Sequence, residues 1–170
     1  MISLDSIHIY PSDMKWETRI NKITRTLITM NMQKRVLIIG IGKKNKNYIY
    51  KREKGILVWL NNSANLFYLN FLSKIINFIN LYVCCFLRLR NVNVDFLNPH
   101  SLSVLPLAVI LKFTKKNVKI IYDTHELETE TSGSSILKKY LKKIIEKICI
   151  KFVDQTIVVS PSIKEWYIKN

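Results

Sequence analysis

Glycine and proline are scarce, four of each in 170 residues. That leaves no room for low-complexity linkers, and the length is that of one domain, residues 1–170. Cysteine is scarce too. Cys84, Cys85 and Cys149 are odd in number, two of them adjacent, with no Cys-x-x-Cys pair. A disulfide framework and a zinc knuckle are thereby excluded, and a reduced, cytoplasmic setting fits best. Acid is short as well, 12 Asp plus Glu against 27 Lys plus Arg, a net charge of +15. Such a field attracts anionic partners: nucleic acid, anionic lipid or phosphorylated ligands. A chain rich in Lys, Asn and Ile together also fits an AT-biased gene, a second origin for the lysine excess. Met1–Tyr10 has no basic flank followed by an apolar run, so it does not read as a signal peptide. The longest apolar stretch, 66–89, is interrupted by Asn70, Lys74, Asn77 and Asn80 and does not read as a membrane span.

What is present is a core. Hydrophobic residues make up 48% of the chain, and a domain of this size buries roughly 70% of the surface its unfolded chain exposes. Short β-branched runs alternate with longer helical patterns, which predicts βαβ units and a parallel sheet. The expected strands are 7–10, 36–40, 56–60, 94–97, 119–122 and 156–159. Several are nearly continuous apolar runs, as strands covered on both faces should be. Trp16, Ile20, Ile23, Leu27 and Met30 form a helical stripe, followed by helices over 66–88, 104–114 and 136–152. Ser160-Pro161 predicts the start of a last helix, with serine as N-cap and proline in the first position. The fold class expected is α/β, a Rossmann-like doubly wound parallel sheet. Ligands of such sheets bind outside the carboxyl ends of the strands.

Candidate chemistry is therefore sought just after each strand. Asp123, Thr124, His125, Glu126, Glu128 and Glu130 follow the strand ending at Tyr122, crowding four of twelve acids into one loop. Clustered carboxylates raise one another's pKa. The segment reads either as a polar wall in which His125 donates to a sugar hydroxyl or phosphate, or as a solvated turn capping the next helix. His100 follows the strand 94–97 and either touches substrate or satisfies a loop carbonyl, while Ser101 or Ser103 can cap the helix behind it. Arg19 borders the apolar stripe of the first helix and needs a partner, either a carboxylate such as Glu126 or an anionic ligand; Asp13 and Glu17 are weaker candidates beside it. Gly40-Ile41-Gly42 begins like a dinucleotide fingerprint, but Asn45 stands at the third glycine and the match fails. No metal site is predicted, because the spacing of His100, His125 and Glu126 is nonspecific. Lys138, Lys139, Lys142, Lys143, Lys147 and Lys151 line a helix whose other face carries Leu137, Leu141, Ile144, Ile145 and Ile148. Its lysines either meet anionic lipid headgroups or form a solvated face; in both readings the apolar stripe packs on the sheet.

The runs 119–130, 153–167 and 94–108, with Glu17–Arg19 opening the first helix, resemble corresponding segments of the family 4 (group 1) glycosyltransferases, in the family's order. The resemblance implies the N-terminal, acceptor-side half of a GT-B fold and transfer of a sugar from a nucleotide-sugar to a glycan or lipid-linked acceptor, with retention and with no cofactor required. It implies catalytic roles for His125 and Glu126 and substrate contacts from Arg19, His100, Ser101 and Thr124. Lys138, Lys139, Lys142 and Lys143 would face an anionic membrane surface from the cytoplasmic side. Tyr10-Pro11-Ser12-Asp13 replaces the family's glycine-rich first loop. The donor domain's paired-glutamate motif is not found in the sequence. The chain is accordingly expected to be inactive alone, with the nucleotide-sugar held by a donor domain, on a separate chain if need be. The competing readings are a nucleic-acid-binding module, which the acids beside His125 argue against, and a non-catalytic membrane-associated α/β domain.

Overall fold

The computed structural model describes residues 3–42, 48–61, 70–124 and 136–169. Among the described residues seven strands form one sheet: β1 Ser3–Ile9, β2 Val36–Ile41, β3 Tyr48–Glu53, β4 Ile56–Asn61, β5 Asn93–Pro99, β6 Lys119–Thr124 and β7 Gln155–Val158. Their spatial order is β3-β4-β2-β1-β5-β6-β7. The helices are α1 Thr18–Thr29, α2 Asn70–Leu89, α3 Leu105–Phe113, α4 Ile136–Cys149, which runs into a 3-10 turn over Ile150–Phe152, and α5 Pro161–Lys169. All neighbouring strands are parallel except β3, which pairs antiparallel with β4. This is the doubly wound Rossmann-like sheet that the alternating pattern predicts.

Six of the seven strands coincide with expected apolar runs; β3 is the exception. Tyr48–Glu53 is a half-polar edge strand, and Gly55 closes the hairpin to β4 at φ +81, with its Cα facing the Lys34 carbonyl. A side chain at that position would be strained and would strike the carbonyl.

The alternation of side chains along each strand divides the core in two. Leu37 and Ile39 of β2, Ile7 and Ile9 of β1, Leu97 of β5 and Tyr122 of β6 join the larger cluster, built with α2 and α3. Val36, Ile38, Ile56, Val58 and Leu60 form the smaller one with Met14 and Ile20, under α1. Within the α1 stripe only Ile20 is fully buried, whereas Trp16 and Met30 are exposed. Thr24 is buried instead, and its hydroxyl donates to the Ile20 carbonyl at 2.8 Å.

On α4 the expected packing is reversed. Leu137, Leu141, Ile144, Ile145 and Ile148 are exposed, while Glu146 and Cys149 are the helix's buried residues. Lys139 and Lys142 are half-buried on that inner side. Glu146 is satisfied by the Tyr167 hydroxyl of α5, which anchors the polar face inward. The stripe therefore faces away from the sheet. The start of α5 is as expected: the Ile163 amide donates to the Ser160 hydroxyl.

Candidate functional site

The strand order reverses at β1, since β2 and β4 lie to one side of it and β5, β6 and β7 to the other. Chain segments leaving β1 and β5 therefore diverge, opening a crevice at their carboxyl ends. On the side of the sheet where α1 packs, β1 does not present the apolar residues a doubly covered strand should carry. It presents Ser6 and His8, both buried.

These two begin a buried polar chain that crosses three strands. The Ser6 hydroxyl lies 2.6 Å from Gln33 Oε1 and 3.2 Å from His8 Nε2. His8 Nδ1 meets His100 Nε2 at 2.9 Å, and the rings lie nearly parallel, 5.1 Å between centroids. His100 Nδ1 meets Asp123 Oδ2 at 2.8 Å, and the other oxygen of Asp123 accepts from the Arg19 guanidinium. Parallel pairing sets this geometry. His8 is in register with Asn98, two residues before His100, and Asp123 lies on the next strand, in register with Ile157 of β7. Arg19 enters from the first turn of α1. Its side chain is 31% exposed, against 2% for Asp123, and Gln33 at the other end is half-buried, so Ser6, His8 and His100 form the dry middle of the chain.

With His8 neutral and Asp123 a carboxylate, two proton arrangements satisfy every link. In the first, His100 donates from Nδ1 to the carboxylate and accepts at Nε2 from His8; His8 then accepts from Ser6, and Ser6 accepts from the Gln33 amide nitrogen. In the second, His100 carries a proton on each nitrogen, every link between it and Gln33 reverses, and Ser6 donates to Gln33 Oε1. His8 is neutral in both. Burial holds its pKa well below the ordinary imidazole value, and the charge of His100 beside it adds to the effect.

Several expectations are revised by this arrangement. The carboxylate partner of Arg19 is Asp123, on the strand itself. His100 bonds Asp123 and His8 rather than a loop carbonyl. Neither Ser101 nor Ser103 caps α3, whose N-cap is Val104 with no side-chain cap. Ser101 instead bonds the Ser103 hydroxyl at 2.7 Å and accepts from its amide at 3.1 Å. Ser101 and Thr124 are both buried at the rim. His125 and Glu126 lie outside the described residues. Lys138 and Lys143 are exposed on α4. His8 is not among the residues that the sequence singles out. The signal for it is a serine and a histidine two residues apart in a strand otherwise read as apolar.

The Gly40-Ile41-Gly42 segment has a packing role. A methyl on Gly40 would land on the Ser12 carbonyl oxygen, which accepts from the Ile41 amide at 2.8 Å. Gly40 lets the segment after β1 cross close over β2, the kind of backbone approach that requires glycine. Among the described residues no group of three His, Cys, Asp or Glu side chains is placed to hold a metal ion. A cavity of about 850 Å³ lined by Arg90, Asp95, Lys115 and Lys116 lies at the amino edge of the sheet, opposite the crevice. Lys115 there already serves the Leu89 and Val92 carbonyls at the end of α2.

A doubly wound sheet with a polar cluster at its switch point defines a Rossmann-like domain, and its fold matches a half domain of the GT-B type. Solved structures of sucrose-phosphate synthase from Thermosynechococcus elongatus share that fold. One superposes with a TM-score of 0.72 at 12% identity, covering 99% of this chain and 45% of that one. A second gives 0.65 at 11% identity, covering 99% and 81%. The chain thus spans under half the length of the first synthase structure. No protein-family model matches the sequence, and no curated protein matches it either.

Proposed function

We propose that this domain is the acceptor-side half of a glycosyltransferase. It would bind the glycan or lipid-linked acceptor of a transfer from a nucleotide-sugar, in the cytoplasm, with retention and without a metal or other cofactor. The donor would be held by a second Rossmann-like domain, which would also stabilise the leaving diphosphate. The observation that carries the reading is the buried Gln33–Ser6–His8–His100–Asp123–Arg19 chain, which ends at the crevice where sheets of this topology take their ligands. A structural ion pair alone does not call for two further histidines and a serine placed behind it in the dry interior. A chain of oriented donors and acceptors holds Asp123 and Arg19 in fixed geometry, as recognition of sugar hydroxyls requires. His125 and Glu126 follow Asp123 within three residues and are the proposed sugar-facing pair, with Ser101 and Thr124 lining the approach.

Saturation-transfer NMR tests the assignment, using a panel of oligosaccharides and, separately, uridine and guanosine diphosphate sugars. Saturation of glycan ring protons is expected, reduced on the order of tenfold in Arg19→Ala through loss of a charged hydrogen-bond donor. Binding of a nucleotide-sugar with no glycan binding would place the donor side here and overturn the reading.

A further inference from the structure

The end of the sheet opposite the crevice carries the cavity of about 850 Å³. Three chain segments build it: the turn from α2 into β5, the turn from α3 into β6, and Ser3 at the start of β1. Parallel pairing sets these strand starts side by side, with Ser3 in register with Asn93 and Phe96 with Lys119. The volume lies within the range of small-molecule sites. The lining is unlike a packing defect, since apart from Val92 and Val94 it consists of polar and charged residues.

The charge of the cavity follows from how acids are used along this edge. Asp5 accepts from the Lys34 and Arg35 amides. Asp154 accepts from the Ile120 amide and the Lys112 ammonium. Both carboxylates are thereby committed outside the cavity. Within it Arg90, Lys115 and Lys116 stand against one acid, Asp95. Among the described residues no ion pair joins Asp95 to any of these cations, and none engages Arg90 or Lys116 elsewhere. Lys115 is the fixed point. Its ammonium donates to the Leu89 carbonyl at 2.5 Å and the Val92 carbonyl at 2.6 Å, in the turn that ends α2. An ammonium has three N–H bonds, so one is left, oriented by the other two. Burial lowers the pKa of this lysine, and an anion at the third N–H would offset the hydration it has lost.

Opposite charges held apart around one concavity suit a ligand with two kinds of polar group. The three cations can take an anion, and the planar guanidinium of Arg90 matches two oxygens of a phosphate. As a carboxylate Asp95 can only accept hydrogen bonds, so the part of the ligand facing it has to donate, as a hydroxyl does. A nucleic-acid backbone, with phosphates along its whole length, would bring charge of the same sign against Asp95. We infer that the amino-edge cavity binds a phosphorylated polyol, with its phosphate among Arg90, Lys115 and Lys116 and its hydroxyls at Asp95. The site is separate from the crevice, and the inference does not rest on sugar transfer.

Amide chemical shifts of the isotope-labelled full chain test it, with ribose 5-phosphate, inorganic phosphate and ribose as separate probes at millimolar concentration. Ribose 5-phosphate should shift the amides of residues 90–95 and 114–117 and leave those of Arg19 and His100 in place. Inorganic phosphate should bind at least about tenfold more weakly, through loss of the hydrogen bonds to Asp95, and ribose should not bind. Arg90→Gln with Lys116→Gln should weaken ribose 5-phosphate at least about tenfold. Asp95→Asn should weaken ribose 5-phosphate but not inorganic phosphate, so that the preference between them falls. All three side chains are exposed, and the same spectra report that the variants fold. No shift at the cavity amides, or binding unchanged by the double variant, overturns the inference. Equal binding of inorganic phosphate and ribose 5-phosphate reduces the cavity to a simple anion patch and overturns it equally. A single-stranded oligonucleotide that binds there more tightly than ribose 5-phosphate assigns the patch to nucleic acid and also overturns it.

Discussion

His8 is the residue whose chemistry is most constrained by its surroundings. It is about 1% exposed, lies between the Ser6 hydroxyl and the His100 ring, and has Asp123 and Arg19 beyond. Its pKa lies below that of a free imidazole chiefly because a buried imidazolium would lose its hydration. The unfolded chain takes up a proton at this residue near pH 6.5 and the folded chain does not. Stability from this source is complete above about pH 6.5 and is lost as pH falls from there toward the folded pKa, by up to about 1.4 kcal/mol per pH unit. Urea unfolding at pH 7.5 and pH 5.5 should show the loss, and His8→Gln should flatten it even though the variant is less stable at both. An unchanged slope in His8→Gln would mean that another group carries the dependence. Little of this was legible in the sequence. His8 and His100 are 92 residues apart, and only the register between two parallel strands brings them together. Arg19 was legible as a charge needing a partner, because it borders a buried face. The identity of that partner was not, since the choice between Asp123 and the following acids depends on which way one strand's side chains point.

At the level of elements, helix and strand type could be read wherever periodicity was strong and both faces of the element were committed. Runs such as Val36–Ile41 have one role available to them. Tyr48–Glu53 does not declare itself in this way. It is an edge strand whose Ile49 is exposed, and its place is set by the turn at Gly55 and by Arg52, which reaches Asn21 of α1 and the Met14 carbonyl. Gly40 stands out in the sequence as half of a nucleotide-binding motif, yet its role is one of packing. It sits in β2 where the segment after β1 crosses over, and the Ser12 carbonyl occupies the space a side chain would need. Gly40→Ala should therefore cost about 1–3 kcal/mol, the usual range for forcing a methyl into a packed site. Thermal unfolding would register this as a clear fall in Tm. No fall would show that the backbone of residues 10–14 shifts freely away from β2.

For the whole molecule, the question left by sequence was which way an amphipathic helix faces. Periodicity of 3.6 marks a stripe but carries no information about whether the stripe meets the sheet, a partner or a bilayer. The default is that apolar residues face the core, and on α2 and α3 the core does receive Leu81, Cys85, Leu105 and Leu111. On α4 the buried Glu146 with its Tyr167 partner, and Cys149 against the larger core, fix the opposite orientation. The two orientations differ sharply in energy. If Leu141 and Ile144 were core residues, truncating each would remove about 2–5 kcal/mol of stability. With Leu141 at 49% and Ile144 at 38% exposure, the pair Leu141→Ser and Ile144→Ser should cost no more than about 1 kcal/mol in total, the scale of surface substitutions with partial burial. Chemical denaturation of the double variant in the absence of lipid measures this directly. A loss of several kcal/mol would return the stripe to the core and remove the apolar band from the outer face. A small loss, together with better solubility of the variant, is what an outward band requires, because the band then contributes almost nothing to folding and acts only when something apolar is laid against it.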